Sequence, residues 1–365
     1  ERTIQRMKNM KRILLTILCY LLASSLFAGK KDKTLDVYWV DVEGGAATLV
    51  VTPAGQSILI DTGNPGNRDA ERIHKLATEI AGLKRIDKLI TTHFHLDHFG
   101  GAAPLTQLMK INEVYDNGMT TKSPDRNRKD SRWPLVSRPY REMKVGKRVV
   151  IRAGEKIPVK QRKGTSELVV TCVAAQQDVI KPASDSKAEK NPLTGSVQDR
   201  PEDLSDNANS VATLFAFGNF RFLDCGDLTW NVEAKLVTPV NPIGTVDVYQ
   251  VNHHGLASSN NPILIRSIRP TVSVMNNGHT KGCSPETFAT LRGTKSIKAM
   301  YQVHKNLRKD SENNTTEELI ANKSNRDACK GHYIKLSVQP DGSTYTLSIP
   351  SHGHSRIFKT TSKNE

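Results

Sequence analysis

An apolar run that ends in TTHFHLDHFGG, residues 91–101, constrains this chain more than any other feature. Three histidines and an aspartate fall within six positions, directly after RIDKLI and directly before two glycines. Side chains alternate along an extended segment, so His93 and His95 can face one point. Asp97 and His98 follow once the chain has turned and can face a second. Imidazole and carboxylate are ligands for Zn²⁺ and related divalent ions. A solvated polar turn has no need of four such side chains so close together, so the fold must bring a strand end, a tight turn and a helix start to one metal-binding edge.

The flanking sequence supplies those elements. LDVYWVDV (35–42), ATLVVTP (47–53), QSILIDTG (56–63) and RIDKLITTH (85–93) have the apolar content of strands. DAERIHKLATEIAGLK (69–84) has helical periodicity, and FGGAAPLTQLMK opens a further helix before the strand INEVYD (111–116). Strand alternating with helix is the rhythm of a layered α/β domain. Residues 117–165 break it with 15 Lys or Arg against four Asp or Glu from 121 to 165, interleaved with Trp133 and Tyr140. They read as a basic insertion of loop and short strands, with aromatics suited to stacking nucleic-acid bases. Residues 176–209 read as a polar insertion. Order returns in the hairpin SVATLFAFGNFRFLDCGD (210–227), the strand VDVYQVNHHG (246–255), a helix with Pro285 at its first position, and a hairpin around Asp341-Gly342.

Residues 1–29 have the anatomy of an export signal: Lys8, Lys11 and Arg12, a 15-residue apolar run, then Ala28-Gly29. That run is shorter than the ~20 residues of a membrane-spanning helix, so no stable span is expected after cleavage. The domain then covers 30–358, in the periplasm or outside the cell. The chain carries +15; residues 1–28 hold five basic residues and one acidic, which leaves +11. Such a charge on an exported protein favours anionic partners, DNA among them. Cys172, Cys225, Cys283 and Cys329 remain, in a compartment that permits disulfides. Cys283 with Cys329 is the expected pair among three full pairings that sequence leaves open.

HxHxDH with IDTG upstream resembles the signature of the metallo-β-lactamase-fold metallohydrolases. VDVEGGAATLVVTPAGQSILIDTG, NANSVATLFAFGNFRFLDCGD and DVYQVNHHGLASSNNP resemble the hydrolase domain of ComEC-type competence proteins. The resemblance implies a four-layer αββα sandwich with two divalent ions, Zn²⁺ or Mn²⁺. It implies His93 and His95 on the first ion, Asp97 and His98 on the second, and Asp227 bridging both. One of the His253-His254 pair completes the second site; His253 is favoured, leaving His254 as substrate contact or proton donor. Asp61 supports the site by orienting a histidine. The chain departs from the family in having no histidine between His98 and His253. Asp206, Asn207 and Asn209 are the candidates for that missing ligand, and His279 is a candidate substrate contact.

The expected function is an exported hydrolase in which a metal-bound hydroxide attacks a phosphodiester, with Asp97 orienting it or taking its proton. Ester, lactone or β-lactam hydrolysis by the same site is the alternative. A non-catalytic envelope protein that binds nucleic acid or glycan is a second, though such a binder would not need the metal set.

Overall fold

In the computed structural model, residues 31–126, 130–182, 189–309 and 312–361 are described; the expected signal, residues 1–29, lies outside them. The strands in chain order begin with β1 (Leu35–Trp39), β2 (Thr48–Val51), β3 (Ser57–Ile60), β4 (Arg85–Ile90), β5 (Lys110–Asp116) and β6 (Lys147–Val150). Next come β7 (Lys156–Ile157), β8 (Leu168–Ala175), β9 (Asp178–Val179), β10 (Ala212–Phe217), β11 (Phe220–Asp224) and β12 (Val248–Val251). The last are β13 (Val272–Met275), β14 (Ala299–His304), β15 (Ile320–Asn322), β16 (Ile334–Val338), β17 (Thr344–Ile349) and β18 (His354–Lys359). One sheet runs β18-β17-β16-β1-β2-β3-β4-β5-β6, the other β15-β14-β13-β12-β11-β10-β8-β7, with β9 on β8. Both sheets change from antiparallel to parallel pairing, the first at β3-β4 and the second at β11-β12.

The inner faces meet in one core that includes Trp39, Ile58 and Tyr345 from the first sheet and Phe215, Phe222 and Val274 from the second. Helices cover the outer faces. On the first sheet lie α1 (Asn67–Lys75), widening into a looser turn at Leu76–Ile80, then α2 (Leu96–Phe99), α3 (Ala102–Leu108) and α4 (Trp133–Glu142). Ile73, Leu105 and Tyr140 pack with Leu49, Leu59 and Leu89 in a second cluster. On the other sheet lie α5 (Trp230–Val237), α6 (Pro262–Ile268) and α7 (Pro285–Arg292), whose Leu236, Leu264 and Phe288 pack with Leu223 and Tyr249. The result is the expected αββα order. The β4 strand is buried on both faces because it lies between parallel neighbours with helices on one side and the second sheet on the other.

Residues 117–165 hold the expected short strands but also a helix where a loop was expected. They hold α4, then β6 at the edge of the first sheet and β7 at the edge of the second, so the segment carries the chain across the sandwich. Trp133 and Tyr140 are 4% and 1% exposed and pack edge-on against Phe94 and Phe99, which removes them as stacking surfaces for bases. The expected Cys283–Cys329 bridge is also corrected: neither cysteine is in a disulfide, Cys283 lying beside Met275 Sδ (3.5 Å) and Cys329 beside Asp41. No helix among the described residues is long and apolar enough to cross a membrane.

Candidate metal centre

The motif sits where β4 stops. Thr91 to His95 leave the sheet as a loop that ends extended at His95, and α2 starts at Leu96, so His93 and His95 fall on the loop and Asp97 and His98 on the first turn. This turn fits only because glycine follows. A Cβ at Gly101 would lie 2.1 Å from Thr62 O. The IDTG turn reaches the same place from β3: Asp61, at φ 60°, accepts from Thr92 N (2.8 Å) and Thr92 Oγ1 (2.7 Å). From the second sheet, β11 ends in DCGD, where Gly226 (φ 54°) lies against the Thr92 side chain and lets Asp227 turn inward. β12 ends in NHHG, where His253 and His254 take φ of 51° and 55° in succession. Two adjacent non-glycine residues in the left-handed region are strained, a condition that persists where the surroundings over-determine it.

Five imidazoles converge here, and each has one nitrogen tied outward. His98 Nδ1 donates to Asp61 Oδ2 (2.7 Å) and His254 Nδ1 to Asn276 O (2.9 Å). His95 Nε2 pairs with Asp125 Oδ1 (3.0 Å), His93 Nδ1 with Thr92 Oγ1 (3.0 Å), and His253 Nδ1 with Ser258 Oγ (2.9 Å). The other nitrogens point inward. Asp227 Oδ2 lies 3.1 Å from His98 Nε2, 3.4 Å from His253 Nε2, 3.5 Å from His254 Nε2 and 3.8 Å from His93 Nε2. His93 Nε2 meets His95 Nδ1 at 3.1 Å. Asp97 Oδ2 lies 3.4 Å from His98 Nε2 and 3.2 Å from His254 Nε2, and it also takes the Lys281 ammonium.

The electrostatics follow from this crowding. Burial disfavours charge on His98, but Asp227, Asp97 and Asp61 outweigh it and hold its pKa well above the ordinary value. Burial, then the neighbouring His98 and His95, push His93 well below. Burial drives His253 down to about 4 against the pull of Asp227. Burial also opposes the charge on Asp97 and Asp227, yet the neighbouring His98 foremost keeps both well below the carboxylate range. Two anionic oxygens, inward imidazole nitrogens and outward anchors form a donor set suited to divalent ions. Asp97, His98, Asp227 and His254 each offer a ligand atom within 4.8 Å of the others.

The expected residues are distributed as follows. His93, His95, Asp97, His98, Asp227 and both histidines of the 253–254 pair are brought together. His254, expected at the substrate, is the one that also reaches Asp97 and His98, while His253 lies towards Asn207 Nδ2 (3.4 Å). Among the three oxygen candidates, Asn207 faces the site, and its Oδ1 is buried without a hydrogen bond. Asp206 instead accepts from Phe94 N (2.6 Å) and Asn209 Nδ2 (2.9 Å), bracing the histidine loop. Asn209 gives its carbonyl to Asn117 and its amide to Asp206. His279 lies beside Glu43 (3.4 Å). Lys281 and Asp125 had no sequence signal, since each is a single residue that meets the motif through tertiary packing.

Residues 40–163 match the sequence profile described as the Metallo-beta-lactamase superfamily. The chain is 33% identical over 79 residues to a UPF0173 metal-dependent hydrolase of Cupriavidus metallidurans, covering 21% of this chain and 24% of that protein. A second, from Cupriavidus taiwanensis, is 34% identical over 94 residues, 25% of this chain and 28% of the relative. The chain thus spans about a quarter of the length of the curated relatives it matches. Among solved structures, CmlA, a diiron β-hydroxylase from Streptomyces venezuelae, aligns with TM-score 0.40 and 17% identity over 73% of this chain and 52% of its own. A putative metal-dependent hydrolase from Parabacteroides distasonis aligns with TM-score 0.38 and 13% identity over 73% and 92%. With its αββα layers, its histidine-rich edge and the profile match, the chain carries the fold of the metallo-β-lactamase superfamily.

Proposed function

We propose that this protein is a metal-dependent hydrolase of phosphodiesters with nucleic-acid-like character, acting after export. One observation carries the hydrolase reading: a single carboxylate oxygen of Asp227 lies 3.1–3.8 Å from four imidazole nitrogens whose rings are all anchored from behind. His93, His95 and Asp227 would hold one ion, with His253 or Asn207 in place of the missing histidine. Asp97, His98, His254 and Asp227 would hold the other. Ions bound there lower the pKa of water and polarise the group it attacks.

The chain's own residues do the rest. Asp97 orients the attacking water, since its Oδ2 already lies beside the His98 and His254 nitrogens of the second set. Asp61 and the Asn276 carbonyl keep the rings of His98 and His254 from turning. Lys281, on the solvent side of Asp97, offers an ammonium to the substrate's anionic oxygens. His253 also adjoins a cavity of about 480 Å³ through Ser258, where the Arg200 guanidinium stacks 3.4 Å over Trp230. A cation–aromatic platform beside the site suits a base joined to a phosphate. The resemblance to competence-type hydrolase domains and the +11 charge beyond residue 28 support the same substrate class.

The test is turnover of a chromogenic phosphodiester by protein loaded separately with Zn²⁺ and Mn²⁺, with Asp97→Ala as control. Metal-dependent turnover that the control loses supports the reading. Absence of turnover in protein shown to hold metal sinks it, and turnover of lactones or β-lactams instead would reassign the substrate.

A further inference from the structure

A second group of ligand-type side chains stands apart from the histidine centre. Asp41 and Glu43 follow β1 of the first sheet, His304 ends β14 of the second, and Cys329 comes from the segment before β16. Their donor atoms lie within 4.8 Å of one another. His304 Nε2 is 2.6 Å from Asp41 Oδ1, 3.8 Å from Glu43 Oε2 and 3.8 Å from Cys329 Sγ, and that thiol is 2.9 Å from Asp41 Oδ2. Asp41 and His304 are fully buried, and the Glu43 side chain is 3% exposed.

Hydrogen bonding does not use this group up. Glu43 Oε1 pairs with Arg72 (3.2 Å), but Glu43 Oε2 is buried and accepts no hydrogen bond, although it faces His304 and His279 Nδ1 (3.4 Å). His304 Nδ1 and His279 Nδ1 are likewise buried without a hydrogen bond. A buried carboxylate oxygen without a hydrogen bond is costly unless a cation compensates it, which a bound ion would do. Zn–S and Zn–N bonds of about 2.3 and 2.0–2.1 Å set tetrahedral donor separations of roughly 3.3–3.6 Å. The two 3.8 Å separations lie close to that. The contacts of Asp41 with His304 and Cys329 are hydrogen bonds that open when an ion replaces their protons, while the ion pair of Arg72 with Asp41 Oδ2 (2.8 Å) stays to balance the two carboxylates.

We propose that Asp41, Glu43, His304 and Cys329 form a structural Zn²⁺ site that pins the two sheets and the Cys329 segment together. Four protein ligands leave no open position, which is the arrangement of a structural rather than a catalytic zinc. On binding, the Cys329 thiol proton leaves to solvent and the His304 ring proton moves to Nδ1. Four metal–ligand bonds form with no change of oxidation state. Cys329 is half-buried, so an ion has a way in. The site is independent of the hydrolase reading, because it shares no residue with the histidine centre.

Cobalt reports on it selectively, because the histidine centre gathers no cysteine. The full chain saturated with Co²⁺ should show a thiolate-to-cobalt charge-transfer band in the near ultraviolet. Cys329→Ser should lose that band and Asp227→Asn should keep it. On wild-type protein, Zn²⁺ should protect Cys329 from alkylation, read by peptide mass spectrometry, because the bound thiolate is no longer a free nucleophile. Absence of the band from cobalt-saturated wild type overturns the site. So does a band that survives in Cys329→Ser, or alkylation of Cys329 that Zn²⁺ does not slow.

Discussion

The Nε2 atoms of His98 and His254 face each other at 3.2 Å while each ring's Nδ1 donates in the opposite direction, to Asp61 and to the Asn276 carbonyl. If both rings were neutral, two lone pairs would point at one another beside two carboxylates. A cation must lie between them, either a proton or a metal ion. The raised pKa of His98 is the proton's version of that answer, produced by Asp227, Asp97 and Asp61 against the cost of burial. Metal and proton therefore compete. In ion-free protein this group's stabilisation is present below its unfolded value of about 6.5 and lost as pH rises through the higher folded value. Metal affinity should run the other way and keep climbing above pH 6.5. Melting temperature measured against pH, with chelator and with saturating Zn²⁺, should show opposite trends around neutrality. Parallel trends would refute the shared position.

Lys281 reaches Asp97 across 184 positions of sequence. Once ions neutralise Asp97, its ammonium is free to meet an anionic substrate. A hydrogen bond to a charged group contributes about 1.5–3 kcal/mol, so Lys281→Ala should lower kcat/KM on a phosphodiester by about 10- to 150-fold. The loss should fall mainly on KM and shrink at high salt, and Lys281→Arg should recover part of it. Equal losses on a neutral ester would show that Lys281 instead maintains the site's structure.

The ends of this pattern were unequally legible in the sequence. Strands at 35–60 and 85–90 stood out because burial on both faces demands unbroken apolar runs, and TTHFHLDHFGG stood out because its ligands are neighbours in sequence. The choice between His253 and His254 was not legible, because two successive left-handed residues send their side chains in directions no periodicity predicts. His304 carried no motif; it meets Asp41 only because β14 and β1 end at the same edge of facing sheets. The burial of Trp133 and Tyr140 did have a signal. Positions 133, 137 and 140 fall at i, i+4 and i+7, one helix face, and all three are buried. The density of Lys and Arg around them obscured that stripe.

Glu233 links the outer helix α5 to the histidine turn. Its carboxylate accepts from Asn260 N (2.9 Å), Asn261 N (2.7 Å) and the Asn252 amide, directly before His253. Burial, opposed by those bonds, still raises its pKa to about 7. A raised carboxyl means the folded state binds more protons than the unfolded state between about 4.3 and 7, so this group's contribution falls as pH rises across that window. Glu233→Gln keeps the shape, gives up one acceptor and cannot ionise. It should be less stable than wild type near pH 5, and the gap should narrow or reverse by pH 8. Urea midpoints at the two pH values check this; a gap independent of pH would mean that Glu233 is not ionising within the fold.

Trp133 is the sharpest discriminator between a structural and a nucleic-acid role for the basic segment. Its indole Nε1 donates to Thr120 O (3.1 Å), and its ring lies against Phe94 and Phe99, so it ties α4 to the histidine loop from behind. Truncating a buried tryptophan costs about 3–5 kcal/mol. Trp133→Ala should therefore lower the urea midpoint by an amount of that order. KM for a phosphodiester, measured where the variant remains folded, should stay the same, because the ring offers no face to a base. The cationic side chains around it remain exposed, so the segment can still attract anions by charge alone, and that attraction should weaken with added salt. A variant with undiminished stability but weakened binding would restore the stacking role to Trp133.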